Sequence, residues 1–172
     1  MPTIALLLLL ATAPPSGRAT PKPTPWVIRE SVSAIDDSKT IVAVLRADSS
    51  VRAWPGTRAT PELFVRCSKG AFDAFIHLGV APTKNRTTGT VDMLIRFDKE
   101  EARDPGATLS QDGRAVFIPN PVSFIEELRV SDRLALRFTP FNSGPQETTF
   151  ILRGVEAAVS KLLEACPAPP AQ

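Results

Sequence analysis

The side chains able to do chemistry in this chain are few. There are two cysteines and one histidine. Cys67 lies in ELFVRC and Cys166 ends VEAAVSKLLEAC, nearly a hundred residues later. A redox-active pair commonly sits as Cys-x-x-Cys at a helix N-terminus, where the thiolate is stabilised. Zinc needs three or four ligands, and one histidine with two distant cysteines supplies no such set, so no metal or cofactor is expected. His77 stands in AFDAFIHL on the polar phase of its segment, with Asp73 and Phe75. A general base needs a partner, yet there is no Gly-x-Ser-x-Gly elbow, His-Glu-x-x-His pair or glycine-rich phosphate loop. His77 therefore reads as a strand residue, and no catalytic residue is assigned.

The remaining candidates are charged or aromatic. Asp36 and Asp37 are adjacent in SAIDDSK, where aspartate side chains cap turns by accepting backbone N–H bonds. Asp92, Arg96 and Asp98 share one phase of TVDMLIRFD, and Arg66 and Arg137 hold corresponding phases of ELFVRC and RLALRF. A cross-strand ladder of arginine and carboxylate explains that pattern. The sharper alternative is a patch that binds carboxylate or phosphate, made by Arg66, Arg96, Asp98 and Arg137. Trp54 sits in ADSSVRAWPGTRATP, a stretch of few regular signals, and aromatics in such loops are candidate binding residues.

These residues need elements to position them. Most segments alternate apolar and polar with period two, the strand signal. Ile41, Ala43 and Leu45 share a phase in TIVAVLR, as do Leu63, Val65 and Cys67 in ELFVRC. Phe72, Ala74, Ile76 and Leu78 follow, then Val91, Met93, Ile95 and Phe97, then Leu134, Leu136 and Phe138, then Phe150 and Leu152. WVIRES and AVFIP are shorter strand candidates. On the opposite phase Phe64, Phe75, Leu94 and Ile151 imply a second covering layer or a binding surface. Two segments break the rhythm. NPVSFIEELRV predicts a short helix near 121–129, with Asn120 as N-cap, Pro121 at the first helical position, and Val122, Ile125 and Leu128 near one face. GVEAAVSKLLEAC predicts a C-terminal helix whose stripe runs Val155, Ala158, Val159, Leu162, Leu163, Cys166. The fold class expected is α+β: a mostly antiparallel sheet or sandwich, with the last helix packed on the sheet.

The ends bear on compartment. Ile4 to Ala13 is apolar but too short to span a bilayer, which takes roughly 20 residues. It has the length of a signal-peptide core, and Gly17 and Ala19 are small residues at −3 and −1 of a cut after Ala19. The expected organisation is a signal peptide over 1–19, a proline-rich linker over 20–25, one domain over 26–166, and a proline-rich tail over 167–172. Net charge is +2 and falls by one when Arg18 leaves, which is no footprint for nucleic acid. No later segment is apolar enough to cross a membrane, so the expected location is periplasmic or secreted.

Cys67 and Cys166 now have directions. Cys67 is in phase with Leu63 and Val65, and Cys166 closes the apolar stripe of the last helix. If that helix packs on the sheet, the sulfurs face each other. In an oxidising compartment an isolated pair of this kind is a structural disulfide. A loop of about a hundred residues gives roughly 4–5 kcal/mol in the chain-entropy model.

The order of these pieces resembles the VasI (also called TagO) family of type VI secretion-associated proteins, small exported proteins of Gram-negative bacteria. The resemblance spans 26–166. It rests on Trp26 and Ser31, DDSKTIVAVL, ELFVRC, a strand ending IRFD, AVFIPNPVSFIEEL, RLALRFTPFN and TTFILRGVEAAVSKLLEAC. It implies an envelope protein, accessory to or derived from secretion machinery, with an envelope or secretion-machinery protein as partner. It brings no catalytic residues. Two other functions are weighed beside a non-enzymatic binding role: a hydrolase of envelope polymers using Asp or Glu, and an inhibitor of a periplasmic enzyme that inserts loop 47–60.

Overall fold

The computed structural model describes residues 25–166. The expected signal peptide over 1–19, the linker before Pro25 and the tail over 167–172 lie outside the described residues. The period-two segments become strands. They are β1 (Trp26–Val32), β2 (Lys39–Arg46), β3 (Val51–Ala53), β4 (Thr57–Ala59), β5 (Glu62–Ser68), β6 (Ala71–His77), β7 (Met93–Phe97), β8 (Thr108–Leu109) and β9 (Ala115–Phe117). Helix α1 (Pro121–Val130) follows, then β10 (Arg133–Phe138), β11 (Gln146–Ile151) and α2 (Val155–Ala165).

The strands form an antiparallel six-stranded sheet in the order β1-β2-β5-β6-β9-β8 and an antiparallel three-stranded sheet in the order β11-β10-β7. β3 and β4 make a separate hairpin. The described residues thus form an α+β fold, built mainly of antiparallel sheet with two helices. Among the described residues no helix is long and apolar enough to cross a membrane.

One apolar cluster joins both sheets and both helices. Leu45, Leu63 and Ile76 come from the six-stranded sheet, Ile95, Leu136 and Phe150 from the other, Leu128 from α1 and Leu162 from α2. Burying a side chain of this size stabilises by about 1.5–3 kcal/mol, whereas exposed ion pairs contribute little in water. Core packing, not surface charge, therefore holds the sheets together.

The helices sharpen two expectations. Asn120 precedes α1 with φ 54 and makes no side-chain cap bond. In this left-handed conformation its carbonyl accepts the Phe124 amide at 3.2 Å, while Pro121 opens the helix. Val122 is 61% exposed; the buried trio is Phe124, Ile125 and Leu128. At 100° per residue Val122 falls roughly 110° round from the middle of that trio, so the apolar face begins later than the sequence pattern predicts. Helix α2 buries Val155, Ala158, Val159 and Leu162, as its stripe predicts.

The six-stranded sheet has two unlike faces. Leu63, Val65 and Cys67 of β5 are buried inward, while Glu62, Phe64, Arg66 and Ser68 alternate outward and half-buried. Register aligns Val27, Val44, Phe64, Phe75 and Phe117 as one apolar row across the outward face. Phe64 and Phe75 stack at 4.7 Å, with Phe117 5.2 Å from Phe75. Cross-strand ring contacts of this kind cover one another, so the three phenylalanines reach half-burial through their own neighbours.

Candidate functional site

Each end of the six-stranded sheet has a distinct chemistry. At one end the β1–β2 turn and the β5–β6 turn lie side by side, because Thr40 pairs with Ser68 in register. Cys67 and Cys166 form a disulfide here, with Cα atoms 6.0 Å apart and a sequence separation of 99. It joins the inward face of β5 to the C-terminal cap of α2, the pairing expected from sequence. Asp36 accepts from the Ser38 hydroxyl at 2.7 Å and pairs with Lys69 Nζ at 2.7 Å. Lys69, then the neighbouring serines, hold the Asp36 carboxyl well below the usual carboxylate range. Asp36 is a turn-capping residue that ties two turns.

The other end carries the β3–β4 hairpin. Val51 and Ala53 are buried, which anchors the stem. Arg52 and Arg58 are exposed cross-strand partners. Gly56, at φ 116, takes a backbone conformation that a side chain would strain, and its amide donates to the Ala53 carbonyl at 2.8 Å. The hairpin is also fixed from outside. The Arg52 amide donates to Gln146 Oε1 at 3.1 Å and the Trp54 amide to Ser143 Oγ at 2.8 Å. The hydroxyl of the buried Thr148 donates to the Ser49 carbonyl at 2.9 Å. Behind it, Gly79 lies so close to β4 that an added Cβ would meet Ala59 Cβ at 2.6 Å.

This packing leaves Trp54 70% exposed at the tip and Phe141 61% exposed beside it. The two rings and Arg114 line a cleft of about 260 Å³, with Gly79 and Thr57 also in its wall. Phe141 is positioned by its amide, which donates to the Ala81 carbonyl at 2.8 Å. Arg114 follows a turn whose Asp112 carboxylate accepts from the Ser110 hydroxyl and from the Arg114 amide; these bonds lower the Asp112 pKa. Among the described residues no ion pair engages Arg52, Arg58 or Arg114. Elsewhere Arg66, Arg103, Arg129 and Arg137 each face a carboxylate.

The other sequence candidates separate. Arg66 lies on the outward face of the six-stranded sheet, bound to Asp73 at 2.6 and 3.1 Å and set over the Phe75 ring at 5.5 Å. Arg96 and Arg137 lie on the three-stranded sheet and share one shallow cleft with Glu147. Arg137 pairs with Glu147 across the strands, and Arg96 donates to the Glu100 carbonyl at 2.8 Å. Asp98 accepts the amides of Asp132 and Arg133, closing the turn between α1 and β10. The structure therefore brings Arg96 and Arg137 together and leaves Arg66 on another sheet. Cross-strand partners occupy Arg66 and Arg137, as a ladder requires. Asp92 and Asp98 flank opposite ends of β7, while Asp36 and Asp37 sit in a turn of the other sheet. Among the described residues none of these four aspartates lines the Arg96–Arg137 cleft or the Trp54 cleft.

Of the sequence candidates Trp54 alone belongs to the hairpin site. Its stretch, read as irregular, contains two strands. The strand and motif patterns single out none of Arg52, Arg58, Gly79, Arg114 and Phe141 as site residues. The Arg-Ala-Trp-Pro-Gly-Thr-Arg symmetry around the turn was the available signal for the arginine pair. Phe141 and Arg114 arrive from two other turns and leave no local pattern.

No family model matches the sequence, and no curated protein matches it. Among solved structures, the fold is similar to the crystal structure of invasion associated protein B from Bartonella henselae, with a TM-score of 0.52 and 15% identity over 81% of this chain and 92% of that chain. At that identity the likeness is one of fold.

Proposed function

We propose that this chain is an exported protein of the cell envelope that works by binding rather than catalysis, an accessory of the VasI/TagO kind that its sequence resembles. The observation that carries the reading is the Cys67–Cys166 disulfide, which closes the core between β5 and α2. Such bonds persist in the periplasm and outside the cell and are rare in a reducing cytosol. In this reading the two larger sheets are the layers of a sandwich that holds the β3–β4 hairpin rigid. The exposed Trp54 and Phe141 then serve as the contact surface.

The test is export of the full chain in a Gram-negative host, followed by intact mass of the periplasmic fraction without reductant. The expected product begins at Thr20 with both thiols blocked. A cytosolic product that keeps residues 1–19 and two free thiols overturns the reading.

The same exposed tip favours a second reading, an inhibitor that inserts the 47–60 loop into an envelope enzyme. Replacing residues 53–57 with a short Asn-Gly turn separates the two. Inhibition of an envelope hydrolase that survives the replacement removes the inhibitor reading.

A further inference from the structure

We propose that the β3–β4 tip and its flank form a docking surface for an anionic phospholipid membrane. The inference rests on the envelope reading above and names the partner of its site. Three observations meet at one end of the fold. Trp54 and Phe141 project there, 70% and 61% exposed. Indole and phenyl rings favour the boundary between headgroups and acyl chains. Arg52 and Arg58 stand opposite each other on the hairpin, an arrangement that repels unless an anion lies between or above them. Neither they nor Arg114 is in an ion pair among the described residues. Guanidinium forks match phosphate oxygens.

The third observation is where the chain enters. Trp26 opens β1 and lies in register with Leu45, next to Arg46, so the N-terminal segment joins the fold at this same end. That segment contains the apolar run Ile4–Ala13. Before the cut expected after Ala19 the fold is tethered through Trp26, so the hairpin end is the one nearest the tether. A soluble anionic glycan would satisfy the arginines as well and could stack on the rings; the point of chain entry favours the lipid, and the vesicle assay separates the two.

The chain from Thr20 to Gln172 suits the test, because the buried core lies within 26–166. It is mixed with vesicles of phosphatidylcholine, alone or with phosphatidylglycerol added. Sedimentation and tryptophan emission are read. There are two tryptophans, and Trp26 is already buried at 6% exposure, so a blue shift reports Trp54. The expected result is sedimentation and a blue shift with the anionic vesicles alone, weakened by salt. Arg58→Gln should weaken the association about fivefold and Arg58→Glu more. Trp54→Ala should remove the blue shift. Lys161→Glu, an equal charge change on the exposed side of α2, should leave association unchanged. Equal association with neutral vesicles, full association of the Arg58 variants, or binding to a soluble anionic polysaccharide without vesicle binding overturns the proposal. Because the assay uses purified protein, its failure leaves the export result standing, and a failed export leaves the vesicle result standing.

Discussion

The two ends of the six-stranded sheet are built from the same strands and differ in how their polar groups are spent. At the turn end, Cys67 is bonded to Cys166, Asp36 to Lys69, and Lys39 of β2 to Glu30 of β1 at 3.0 Å. At the hairpin end, Arg52, Arg58 and Arg114 stand outside the ion pairs among the described residues, while Trp54 and Phe141 face solvent. The difference separates two duties. One end holds the fold closed, and the other keeps charge and aromatic surface uncommitted, at a cost that the rest of the core covers. Substitutions at the first end should therefore change stability, and substitutions of the exposed groups at the second, binding.

The largest effect is expected at the disulfide. Cys67→Ser or Cys166→Ser should lower unfolding free energy by about 4–5 kcal/mol, measured by denaturant titration; a loss of less than about 1 kcal/mol would mean the turn end is not the one that holds the fold. Gly79→Ala tests the hairpin end for hidden structural work. The new Cβ would meet Ala59 Cβ at 2.6 Å, and Gly79 sits at φ +72, so a loss of about 2–3 kcal/mol is expected. Wild-type stability would show that the stem is not packed tightly there. Trp54→Ala should shift the thermal midpoint little, within the about 0.5 kcal/mol typical of surface sites, while it removes the tip's contact with its partner. A large fall in stability would erase the division between the two ends.

The smallest effect is a pH dependence. The Asp36 carboxyl is held below its ordinary value near 3.8 by Lys69 and the serines. A depressed folded-state pKa adds stability above the unfolded value, and that stability is lost as pH falls through the folded one. Asp36→Asn should thus narrow the stability difference between neutral and acidic solution, with little change at the acid limit. An unchanged acid limb would show that the Asp36–Lys69 pair adds nothing in water.

Much of the turn end is legible in the sequence. The phases of Cys67 and Cys166 are local properties of a strand and a helix, and each predicts a direction for its sulfur. The long strands are legible for the same reason, since Leu63, Val65 and Cys67 repeat against one face. The hairpin end is not. β3 and β4 have three residues each, too few for alternation to stand out from a loop rich in Arg, Pro and Gly. The cleft is harder still, because Trp54, Arg114 and Phe141 are placed by tertiary hydrogen bonds with Ser143, Leu78 and Ala81 respectively. Val122 fails for a related reason: helical spacing marks which residues share a face, but packing decides where that face begins.

The position of Cys166 also sets a timetable. A ribosome makes Cys67 first and its partner 99 residues later. During that interval β1, β2, β5 and β6, which follow one another as antiparallel neighbours, can assemble with a reduced sulfur on their inward face. Helix α2 is the final described element, and its arrival both closes the apolar face and delivers the second thiol. The covalent bond can therefore form only once both elements exist, and a chain lacking α2 would keep Cys67 unpaired on the inward face of β5.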